Sequence, residues 1–450
     1  MSIALILLAA GKGTRMESDL PKVLHPIAGA PMLIHAVRAG QTLGPERVVV
    51  VAGHGAEAVT AAAHDYDDEI EVVLQTEQLG TAHAVAQARV ALADFDGDAL
   101  VLYGDTPFLT QDTLEEMAIA RARADVVVLG FDAADPGRYG RLVTSGDQLE
   151  RIVEYKDATD EERAITLCNS GVLAADAQTL FSLIDAVGND NASGEYYLTD
   201  IVALAQARGL TATAVRCDEA ETLGVNSRAE LARAEALFQQ NARAALMAEG
   251  VTLHAPDTVY LSWDTIVGRD AEIEPNVVFA PGVTVESGAR IRAFSHLEGC
   301  HVSRGATVGP FARLRPGAEL AEDVHIGNFV EIKNALIDEG AKVNHLTYIG
   351  DAEVGSRTNI GAGTITCNYD GVMKHRTTIG ADVFIGSNTM LVAPVSVGDA
   401  AMTATGTIVT QDVPEGDLAI GRVQQSNKPG RARKLMQFLR AKKAKQQEGR

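Results

Sequence analysis

The feature that most constrains the fold is a six-residue period in the second half of the chain. Apart from short slips of register, aliphatic or aromatic residues recur at every sixth position, at Val267, Ile273, Phe279, Val285, Ile291, Leu297, Val302, Val308, Leu314, Leu320, Ile326, Ile332, Val343, Ile349, Val354, Ile360, Ile379, Ile385, Leu391 and Val397. Such a repeat is typical of a parallel β-helix, in which every turn buries its aliphatic side chains and small residues relieve crowding at the corners. Three repeats make one coil of about 18 residues.

The repeat is interrupted once by a segment that does not follow its period. The stretch CNYDGVMKHR separates GAGTIT from TTIGADVFIG. We expect it to project from the β-helix as a loop, and loops on a rigid scaffold often carry binding groups.

The first 226 residues show a different pattern, in which short β-rich runs alternate with helical stretches. Strands are predicted over 3–9, 48–52, 70–74, 99–103 and 126–131, and helices over 31–40 and 81–92. Repeated βα units indicate a parallel sheet covered by helices on both faces, and such sheets bind ligands at the carboxyl ends of their strands. The stretches LAAGKGTRM and VLYGD stand at two of those ends.

A single helix over 227–249 is predicted to join the two halves. Ser227 and Glu230 have the spacing of a capping box, and Gly250 stands where a helix C-cap is expected. Beyond the repeat, 426–450 forms a basic C-terminal tail. The segment 428–450 carries nine Lys or Arg and one Glu, which fits either a solvated arm or a contact with an anion or a partner.

Composition excludes several classes of protein. A net charge of −21 argues against general nucleic-acid binding, because polyanions would be repelled. No apolar run is long enough to cross a membrane, so no membrane partner is expected. The four cysteines (Cys168, Cys217, Cys300 and Cys367) are scattered without a CxxC motif. That distribution fits a reducing cytosol and argues against a zinc ribbon or a disulfide framework.

The loop after the first strand has the chemistry of an anion site. Gly11 and Gly13 let the backbone N–H groups approach an anion closely, while Arg15 and Lys22 add positive charge. Asp105, at another strand end, suits Mg²⁺ bound jointly with phosphate oxygens. The Gln75 amide could read the edge of a pyrimidine. Taken singly, each signal also fits an ordinary βα turn or an exposed loop residue.

Together these motifs carry a resemblance to known enzymes. LAAGKGTRM, DLPKVLH, QTEQLGTAHA, YGD, GRYGR, VEYKDATDEE and GEYYLTD resemble sugar-phosphate nucleotidyltransferases. Joined to a hexapeptide β-helix that contains HLTYIGDAEVG and NIGAGTITCNYDG, the chain resembles a bacterial bifunctional family over residues 3–425. That family combines N-acetylglucosamine-1-phosphate uridylyltransferase with glucosamine-1-phosphate N-acetyltransferase.

The resemblance implies an architecture and a pair of activities. An α/β Rossmann-like nucleotidyltransferase domain (1–226) would be followed by the linker helix (227–249) and a left-handed parallel β-helix acetyltransferase domain (250–425). The β-helix would acetylate glucosamine-1-phosphate with acetyl-CoA. The first domain would then transfer uridylyl from UTP to N-acetylglucosamine-1-phosphate with Mg²⁺, giving UDP-N-acetylglucosamine for envelope polysaccharides. The family is a cytoplasmic homotrimer with acetyltransferase sites between subunits.

The resemblance also assigns residues of the uridylyltransferase. Those expected to hold the nucleotide are Leu8, Ala9, Ala10, Gly11, Lys22, Gln75, Gly80 and Thr81. The sugar phosphate would contact Tyr103, Gly104, Asp105, Gly140, Glu154, Asn169 and Asn226. Arg15 and Lys22 would neutralise the triphosphate, and Asp105 and Asn226 would coordinate Mg²⁺. Because the sugar phosphate is itself an anionic nucleophile, catalysis would consist of in-line positioning and charge neutralisation.

In the acetyltransferase, His345 would be the base, since histidine titrates near physiological pH. Arg315, Lys333, Tyr348 and Asn359 would bind the sugar phosphate. The residues expected to contact acetyl-CoA are Ala362, Asn368, Tyr369, Ser387, Thr405 and Arg422. The family pattern has alanine at 405, so the threonine here is a departure.

Three alternatives stay open at the level of sequence. A monofunctional sugar-1-phosphate nucleotidyltransferase could keep the β-helix for structure or regulation. A non-enzymatic protein could keep both folds as scaffolds for binding or assembly. A zinc site could be built from His296, His301, His325, His345 and His375, although their spacing does not match one coil.

Overall fold

The computed structural model describes residues 2–448 and divides into two compact units. The first unit comprises residues up to Ala245 together with Leu261–Trp263, and the second comprises Leu246–Tyr260 and the chain from Asp264 onward. The boundary therefore falls within the predicted linker helix.

The first unit is built on one mixed sheet. Its strands are β1 (Ile3–Ala9), β2 (Pro26–Ile27), β3 (Ala30–Pro31), β4 (Arg47–Ala52), β5 (Glu71–Leu74), β6 (Asp98–Tyr103), β7 (Val126–Asp132), β8 (Arg141–Ser145), β9 (Gln148–Val153), β10 (Leu167–Asp176) and β11 (Ala212–Cys217). The main sheet has the order β11-β7-β10-β6-β1-β4-β5, the hairpin β8–β9 extends from β10, and β2 pairs with β3 alone.

The strand predictions are confirmed, and the main sheet is parallel as predicted except at β10. β10 runs antiparallel to both of its neighbours, β6 and β7. The chain reaches β10 through the β8–β9 hairpin and a short helix, and so enters the sheet from the opposite end. The predicted ligand edge is unaffected, because β1, β4, β5 and β6 remain parallel.

Helices and short 3-10 turns connect these strands. The helices are α1 (Met32–Gln41), α2 (Ala56–Tyr66), α3 (Thr81–Ala86), α4 (Gln111–Arg121), α5 (Asp160–Arg163), α6 (Ala177–Ile184) and α7 (Asp200–Ala207). Turns of 3-10 helix lie at Thr14–Met16, Lys22–Leu24, Gln87–Arg89 and Glu219–Thr222. Apolar clusters cover both faces of the sheet, and β1 is buried along almost its whole length.

Two predicted helices differ from the observed ones in their bounds. The helix predicted over 31–40 begins one residue later, because Pro31 is extended and precedes the first helical residue. The helix predicted over 81–92 ends at Ala86. There the Gln87 side-chain amide donates to the His83 carbonyl at 2.9 Å, which competes with continuation of the helix.

The predicted linker helix is α8 (Arg228–Ala248). Its start differs slightly from a standard capping box. Ser227 Oγ accepts from the Glu230 amide at 3.3 Å, but the Glu230 carboxylate accepts from the amide of Asn226, not that of Ser227, at 2.6 Å. The helix ends in a Schellman motif, with Gly250 at φ +93°. The Gly250 and Val251 amides donate to the Met247 and Leu246 carbonyls at 3.2 and 3.0 Å.

The second unit is a left-handed parallel β-helix of short strands. The strands are β12 (Thr252–Leu253), β13 (Ile266–Val267), β14 (Glu272–Ile273), β15 (Val278–Phe279), β16 (Thr284–Val285), β17 (Arg290–Ile291), β18 (His296–Leu297), β19 (Cys300–Val302), β20 (Thr307–Val308), β21 (Arg313–Leu314), β22 (Ala318–Leu320), β23 (His325–Asn328), β24 (Glu331–Ile337), β25 (Lys342–His345), β26 (Tyr348–Val354), β27 (Asn359–Ile360), β28 (Ile365–Cys367), β29 (Thr377–Ile379), β30 (Phe384–Ile385), β31 (Met390–Val392), β32 (Val395–Val397), β33 (Met402–Thr403), β34 (Ile408–Val409) and β35 (Leu418–Ala419). One face follows the order β12-β14-β17-β20-β23-β25-β27-β30-β33-β35.

The six-residue period is confirmed in detail. Every aliphatic or aromatic position of the repeat is at most 5% exposed, so the repeat marks the interior of the β-helix. The expectation of small residues at the corners is only partly right. One corner holds Phe294, Phe311 and Phe329, all at φ between +55° and +60°, with their rings in solvent.

The chain after the β-helix includes α9 (Arg431–Glu448), so much of the predicted basic tail is helical. Its side chains are exposed over the residues whose side chains are described. Within residues 2–448, no helix has both the length and the apolar character that a membrane span requires.

Candidate functional site

The first candidate site is a cavity of about 300 Å³ at the carboxyl edge of the parallel strands. Its lining comes from the ends of β1 and β6, the loops after β1, β5 and β6, the start of α3 and the loop before α7. The lining residues are Leu8, Ala10, Gly11, Lys22, Val23, Gln75, Gln78, Gly80, Thr81, Ala84, Tyr103, Asp105 and Glu195. The cavity thus lies where the sequence predicts a ligand.

The glycine-rich loop is shaped by close packing against the Lys22 side chain. Gly13 has φ +57°, and a Cβ there would lie 2.5 Å from Lys22 Cβ. No larger residue fits this backbone without displacing Lys22. The loop then forms the turn Thr14–Met16, whose Met16 carbonyl accepts from Arg228 Nε at 3.1 Å.

Three residues distant in sequence meet at the mouth of the cavity. The Lys22 ammonium forms an ion pair with Asp105 and donates to Asn226 Oδ1 at 3.1 Å. Asn226 is held near Asp105 because the Val225 amide donates to the Asp105 carbonyl at 3.0 Å. The Lys22 ammonium therefore contacts both of the residues that are predicted to bind the metal. Carboxylate and amide oxygens are the donors that Mg²⁺ prefers, with phosphate oxygens and water completing its shell, so this pair fits the ion.

The nucleotide side of the cavity contains amide groups. Gln75 is buried, and its Nε2 lies 3.1 Å from the Gly80 carbonyl, to which it donates, and 3.1 Å from His83 Nδ1. Gly80, at φ +117°, packs against the backbone of Tyr196, where a Cβ would approach to 2.5 Å. Gln78, which sequence reasoning did not select, lines the cavity and donates to the Ala10 carbonyl at 3.0 Å.

The predicted sugar residues form a second cluster beside Tyr103. The Asn169 amide donates to the Gly140 carbonyl at 2.9 Å, and a Cβ on Gly140 would lie 3.5 Å from both Asn169 Cβ and a Glu154 carboxylate oxygen. Burial raises the pKa of Glu154, against a hydrogen bond from Thr199 that lowers it. Burial also raises the pKa of Tyr103, with the Asp105 and Glu154 charges acting in the same direction.

Not every predicted residue lies on the cavity surface. Ala9 is buried in the core below it, Gly104 donates its amide to the Leu8 carbonyl at 3.0 Å behind the wall, and Arg15 is exposed on the turn after Gly13. Glu195 of the GEYYLTD motif does line the cavity, although it was not selected from the sequence.

A buried arginine supports the loop that carries Gly140. Arg141 is 1% exposed, and its guanidinium donates to the carbonyls of Tyr139, Gly137 and Arg163. Its guanidinium joins three points of the backbone, so carbonyl dipoles stabilise its charge.

The second candidate site lies on the corner of the β-helix that also carries the phenylalanines. His345 is exposed at the end of β25, and its Nδ1 lies 2.7 Å from Asn328 Oδ1 on the preceding coil. Asn328 was not selected from the sequence.

Predicted acetyl-CoA residues lie below His345 on the same corner. Backbone hydrogen bonds connect each coil to the next there. The amides of Leu346, Gly363, Asn388 and Gly406 donate to the carbonyls of Asn328, His345, Ala362 and Ser387 at 3.1, 3.2, 2.7 and 2.8 Å, respectively. We call Asn328, His345, Ala362, Ser387 and Thr405 the corner column, since each precedes the residue that turns the corner at positive φ.

Thr405 is the lowest member of the corner column and the one that departs from the family pattern. Its side chain is exposed, and its carbonyl accepts a hydrogen bond from the Arg422 guanidinium. Because this contact uses the backbone carbonyl, having threonine in place of alanine at 405 does not prevent it, and Arg422 stays bound at the end of the corner column.

Cationic groups cluster on the adjoining face. The Lys333 ammonium contacts that of Lys374, and this like charge lowers the pKa of Lys333. Asp351 lies near both lysines, and Arg315 pairs with Glu331 at 2.9 Å. Lys374 comes from the CNYDGVMKHR loop, so the predicted loop does bring a charged group to the β-helix surface.

Of the remaining predicted residues, Asn368 and Tyr369 adjoin this cluster, whereas Asn359 lies on another face of the β-helix. Asn368 donates to an Asp351 carboxylate oxygen and to the Tyr348 hydroxyl, the latter at 3.4 Å. Tyr369 is exposed, and its hydroxyl donates to the Gly371 carbonyl at 2.6 Å. Asn359 begins β27, in register with Lys342.

The histidines of the zinc alternative do not converge in the described part of the chain. Between residues 2 and 448, no group of three or more His, Cys, Asp or Glu side chains is arranged to hold a metal ion.

Comparison with known proteins identifies the relatives of both halves. Residues 5–178 match the family of MobA-like NTP transferase domains. The chain is 73% identical to the bifunctional protein GlmU of Ruegeria sp. (strain TM1040) over 449 residues, which cover 100% of each protein. It is 73% identical to bifunctional protein GlmU of Ruegeria pomeroyi over 448 residues, again covering 100% of each. Identity to bifunctional protein GlmU of Cereibacter sphaeroides (strain ATCC 17023) is 70% over 443 residues, covering 98% of each.

These relatives match both units without a gap in coverage. The nucleotidyltransferase cavity and the β-helix corner both lie within the matched length, and so does α8 between them. The chain belongs to the family of bifunctional GlmU proteins.

Proposed function

We propose that the chain makes UDP-N-acetylglucosamine in two steps. The β-helix transfers acetyl from acetyl-CoA to the amine of glucosamine-1-phosphate. The first unit then transfers uridylyl from UTP to N-acetylglucosamine-1-phosphate and releases pyrophosphate. The observation that carries the proposal is the meeting of Lys22, Asp105 and Asn226 at the mouth of a cavity at the carboxyl edge of the sheet.

In uridylyl transfer, Leu8, Ala10, Gly11, Gln75, Gly80 and Thr81 hold the nucleotide, and Ala9 supports them from the core. Tyr103, Gly140, Glu154 and Asn169 place the sugar so that its phosphate oxygen faces the α-phosphorus. Asp105 and Asn226 would hold Mg²⁺, which would supply charge neutralisation for the phosphates when bound. Lys22 is within reach of the same phosphates, and Arg15 approaches them from the exposed turn. The attacking oxygen forms a bond to phosphorus as the bond to pyrophosphate breaks, so no general base is needed.

In acetyl transfer, Arg315 and Lys333 bind the phosphate of glucosamine-1-phosphate, and Tyr348 and Asn359 orient the sugar. His345 accepts a proton from the sugar ammonium, which frees the amine to attack the thioester carbon. The C–N bond forms, the C–S bond breaks, and the departing CoA thiolate takes up the second proton that the new amide nitrogen releases. Along the corner column, Ala362, Ser387 and Thr405 hold acetyl-CoA with Arg422 at its phosphate end, while Asn368 and Tyr369 cover the acetyl group.

We further propose that the active form is a cytoplasmic homotrimer. Phe294, Phe311, Phe329 and Leu346 are each 46–62% exposed and follow one another along the corner that carries His345. The phenylalanine rings stack at centroid distances of 5.0 and 5.3 Å. An exposed apolar strip of this kind favours burial against a second copy, which would complete the acetyltransferase site.

One assay tests both activities. The purified chain is incubated with glucosamine-1-phosphate, acetyl-CoA, UTP and Mg²⁺, and the products are followed by mass spectrometry. We expect N-acetylglucosamine-1-phosphate first and UDP-N-acetylglucosamine afterwards. If the nucleotide sugar forms only from added N-acetylglucosamine-1-phosphate, the β-helix is a scaffold and the chain is a monofunctional nucleotidyltransferase. If neither product forms, the chain is a binding protein.

A further inference from the structure

The imidazole of His345 contacts the Asn328 side chain, whose chemistry fixes the tautomer of the histidine. His345 Nδ1 lies 2.7 Å from Asn328 Oδ1. An amide oxygen only accepts hydrogen bonds, so the contact forms when Nδ1 carries the hydrogen. The lone pair is then on Nε2, on the far side of the ring from Asn328.

Close approach of two coils makes this contact possible. β23 and β25 are in register so that Asn328 lies directly opposite His345. At Gly327, a Cβ would come within 2.0 Å of the Asn344 carbonyl oxygen, so only glycine allows the two strands to approach this closely. The Leu346 amide donates to the Asn328 carbonyl at 3.1 Å, and Thr347 Oγ1 donates to the His345 carbonyl at 2.7 Å. The backbone on both sides of the pair is therefore held.

We propose that Asn328 is the positioning residue that holds His345 in the Nδ1–H tautomer, with Nε2 as the atom that takes the proton. The inference rests on the proposed role of His345 as the base of acetyl transfer. An exposed imidazole without such a partner rotates freely and divides its population between two tautomers, of which only one presents a lone pair at Nε2.

The pair can be tested with two substitutions at position 328. Asn328→Ala removes the acceptor, and we expect kcat for acetyl transfer to fall about tenfold, the equivalent of one lost hydrogen bond, with both KM values unchanged. Asn328→Asp restores an acceptor of the same shape and adds a negative charge that favours the imidazolium. We expect it to recover most of kcat and to move the acid limb of the kcat/KM profile up by about half a pH unit.

The charged and titratable groups near Asn328 and His345 are unchanged in all of these variants. His325 stands on the strand of Asn328, Lys342 stands on the strand of His345, and Arg292 acts on His325 from an earlier coil. On the other side, β27 brings the uncharged Asn359. The matched control is Asn276→Asp, which places the same charge at an exposed position of an earlier coil. We expect its pH profile to match that of the unmodified chain.

Uridylyl transfer by the same preparations serves as the measure of folding. If Asn328→Ala keeps the original kcat and pH profile for acetyl transfer, the inference is wrong. If Asn328→Ala loses both activities through misfolding, Asn328→Asp decides, and an unshifted acid limb in that variant overturns the inference. His345→Ala tests the proposed base separately from the role of Asn328. Should that variant retain acetyl transfer, the proposed base itself is wrong, whatever the variants of Asn328 show.

Discussion

The two units build their sites in opposite ways. In the first unit, Lys22, Asp105 and Asn226 come from separate segments and meet at a partly enclosed cavity. In the second, the corner column repeats one position of the solenoid, and its members are stacked on an exposed edge. The α/β site thus depends on tertiary packing, whereas the β-helix site depends mainly on keeping the coil length constant. Four predictions use this contrast, in order of decreasing effect.

The largest expected difference between the two sites comes from single substitutions of their proposed key residues. Asp105→Ala removes a proposed metal ligand and the ion-pair partner of Lys22, so we expect uridylyl transfer to fall at least about a thousandfold. Acetyl transfer should be unchanged, and His345→Ala should give the reverse pattern. Both activities are measured by mass spectrometry on the folded protein. Loss of both activities in either variant would contradict the assignment of two independent sites.

The second prediction concerns assembly. Phe311 is 46% exposed in the middle of the phenylalanine strip, and Phe311→Asp places a charge where the trimer would bury an apolar ring. We expect the mass from light scattering to fall from three times the 47.5 kDa chain to one chain. Acetyl transfer should fall by at least about tenfold, because the site loses its partner subunit, while uridylyl transfer remains. Val90→Asp, at a residue 85% exposed in the first unit, is the control. A variant of Phe311 that stays trimeric would argue against this interface.

The third prediction concerns the support of the sugar cluster. Arg141→Met leaves the Tyr139, Gly137 and Arg163 carbonyls without their donor, and we expect the free energy of unfolding to fall by about 3 kcal/mol. KM for N-acetylglucosamine-1-phosphate should rise more than KM for UTP, since Gly140 adjoins the disturbed loop. Chemical denaturation and steady-state kinetics measure the two effects. Arg138→Met, on the exposed part of the same loop, should change neither the free energy of unfolding nor KM. An equal rise of both KM values in Arg141→Met would instead indicate a general loss of order in the first unit.

The smallest effect is a dependence of stability on pH. Burial raises the pKa of Glu154 above its usual 4.5. Between these two pKa values, the folded state therefore keeps a proton on Glu154 that the unfolded state has released. This contribution is greatest at low pH and is lost as pH rises from about 4.5 through the raised pKa of the folded state. Glu154→Gln should therefore reduce the loss of thermal stability across this window. Glu150→Gln, at an exposed position of β9, the strand that ends just before Glu154, should leave it unchanged, and identical pH curves for all three proteins would contradict the burial argument.

How far the sequence predicts the structure also differs between the units. In the β-helix, the repeat alone predicts which side chains are buried, because one position of each hexad always faces inward. It does not reveal Asn328, since no periodic signal distinguishes a corner residue that contacts His345 from one that does not. Nor does it predict phenylalanine at the corners, where positive φ would favour glycine or asparagine.

In the first unit, local patterns predict the strands but not their directions. The apolar run of β10 gives no sign that it lies antiparallel between β6 and β7, because strand direction is decided by the connecting hairpin and the partners. The resemblance supplies Lys22, Asp105 and Asn226 as separate residues, and only the folded chain brings them within contact of one another. Gln78 and Lys374 escape prediction because their roles arise from neighbours far along the chain.

If acetyl transfer runs as proposed, the corner column also sets the length of the acyl donor. Neighbouring coils of a β-helix are about 4.8 Å apart, so the three steps from His345 to Thr405 span about 14 Å. An acyl donor that places its thioester beside His345 and its anionic end beside Arg422 must be at least this long. Under the proposed function, a short donor such as acetyl phosphate would not reach both ends, and the number of coils between His345 and Arg422 would select a long carrier of the acetyl group. Deleting one whole coil would keep every side chain aligned and still shorten the corner column.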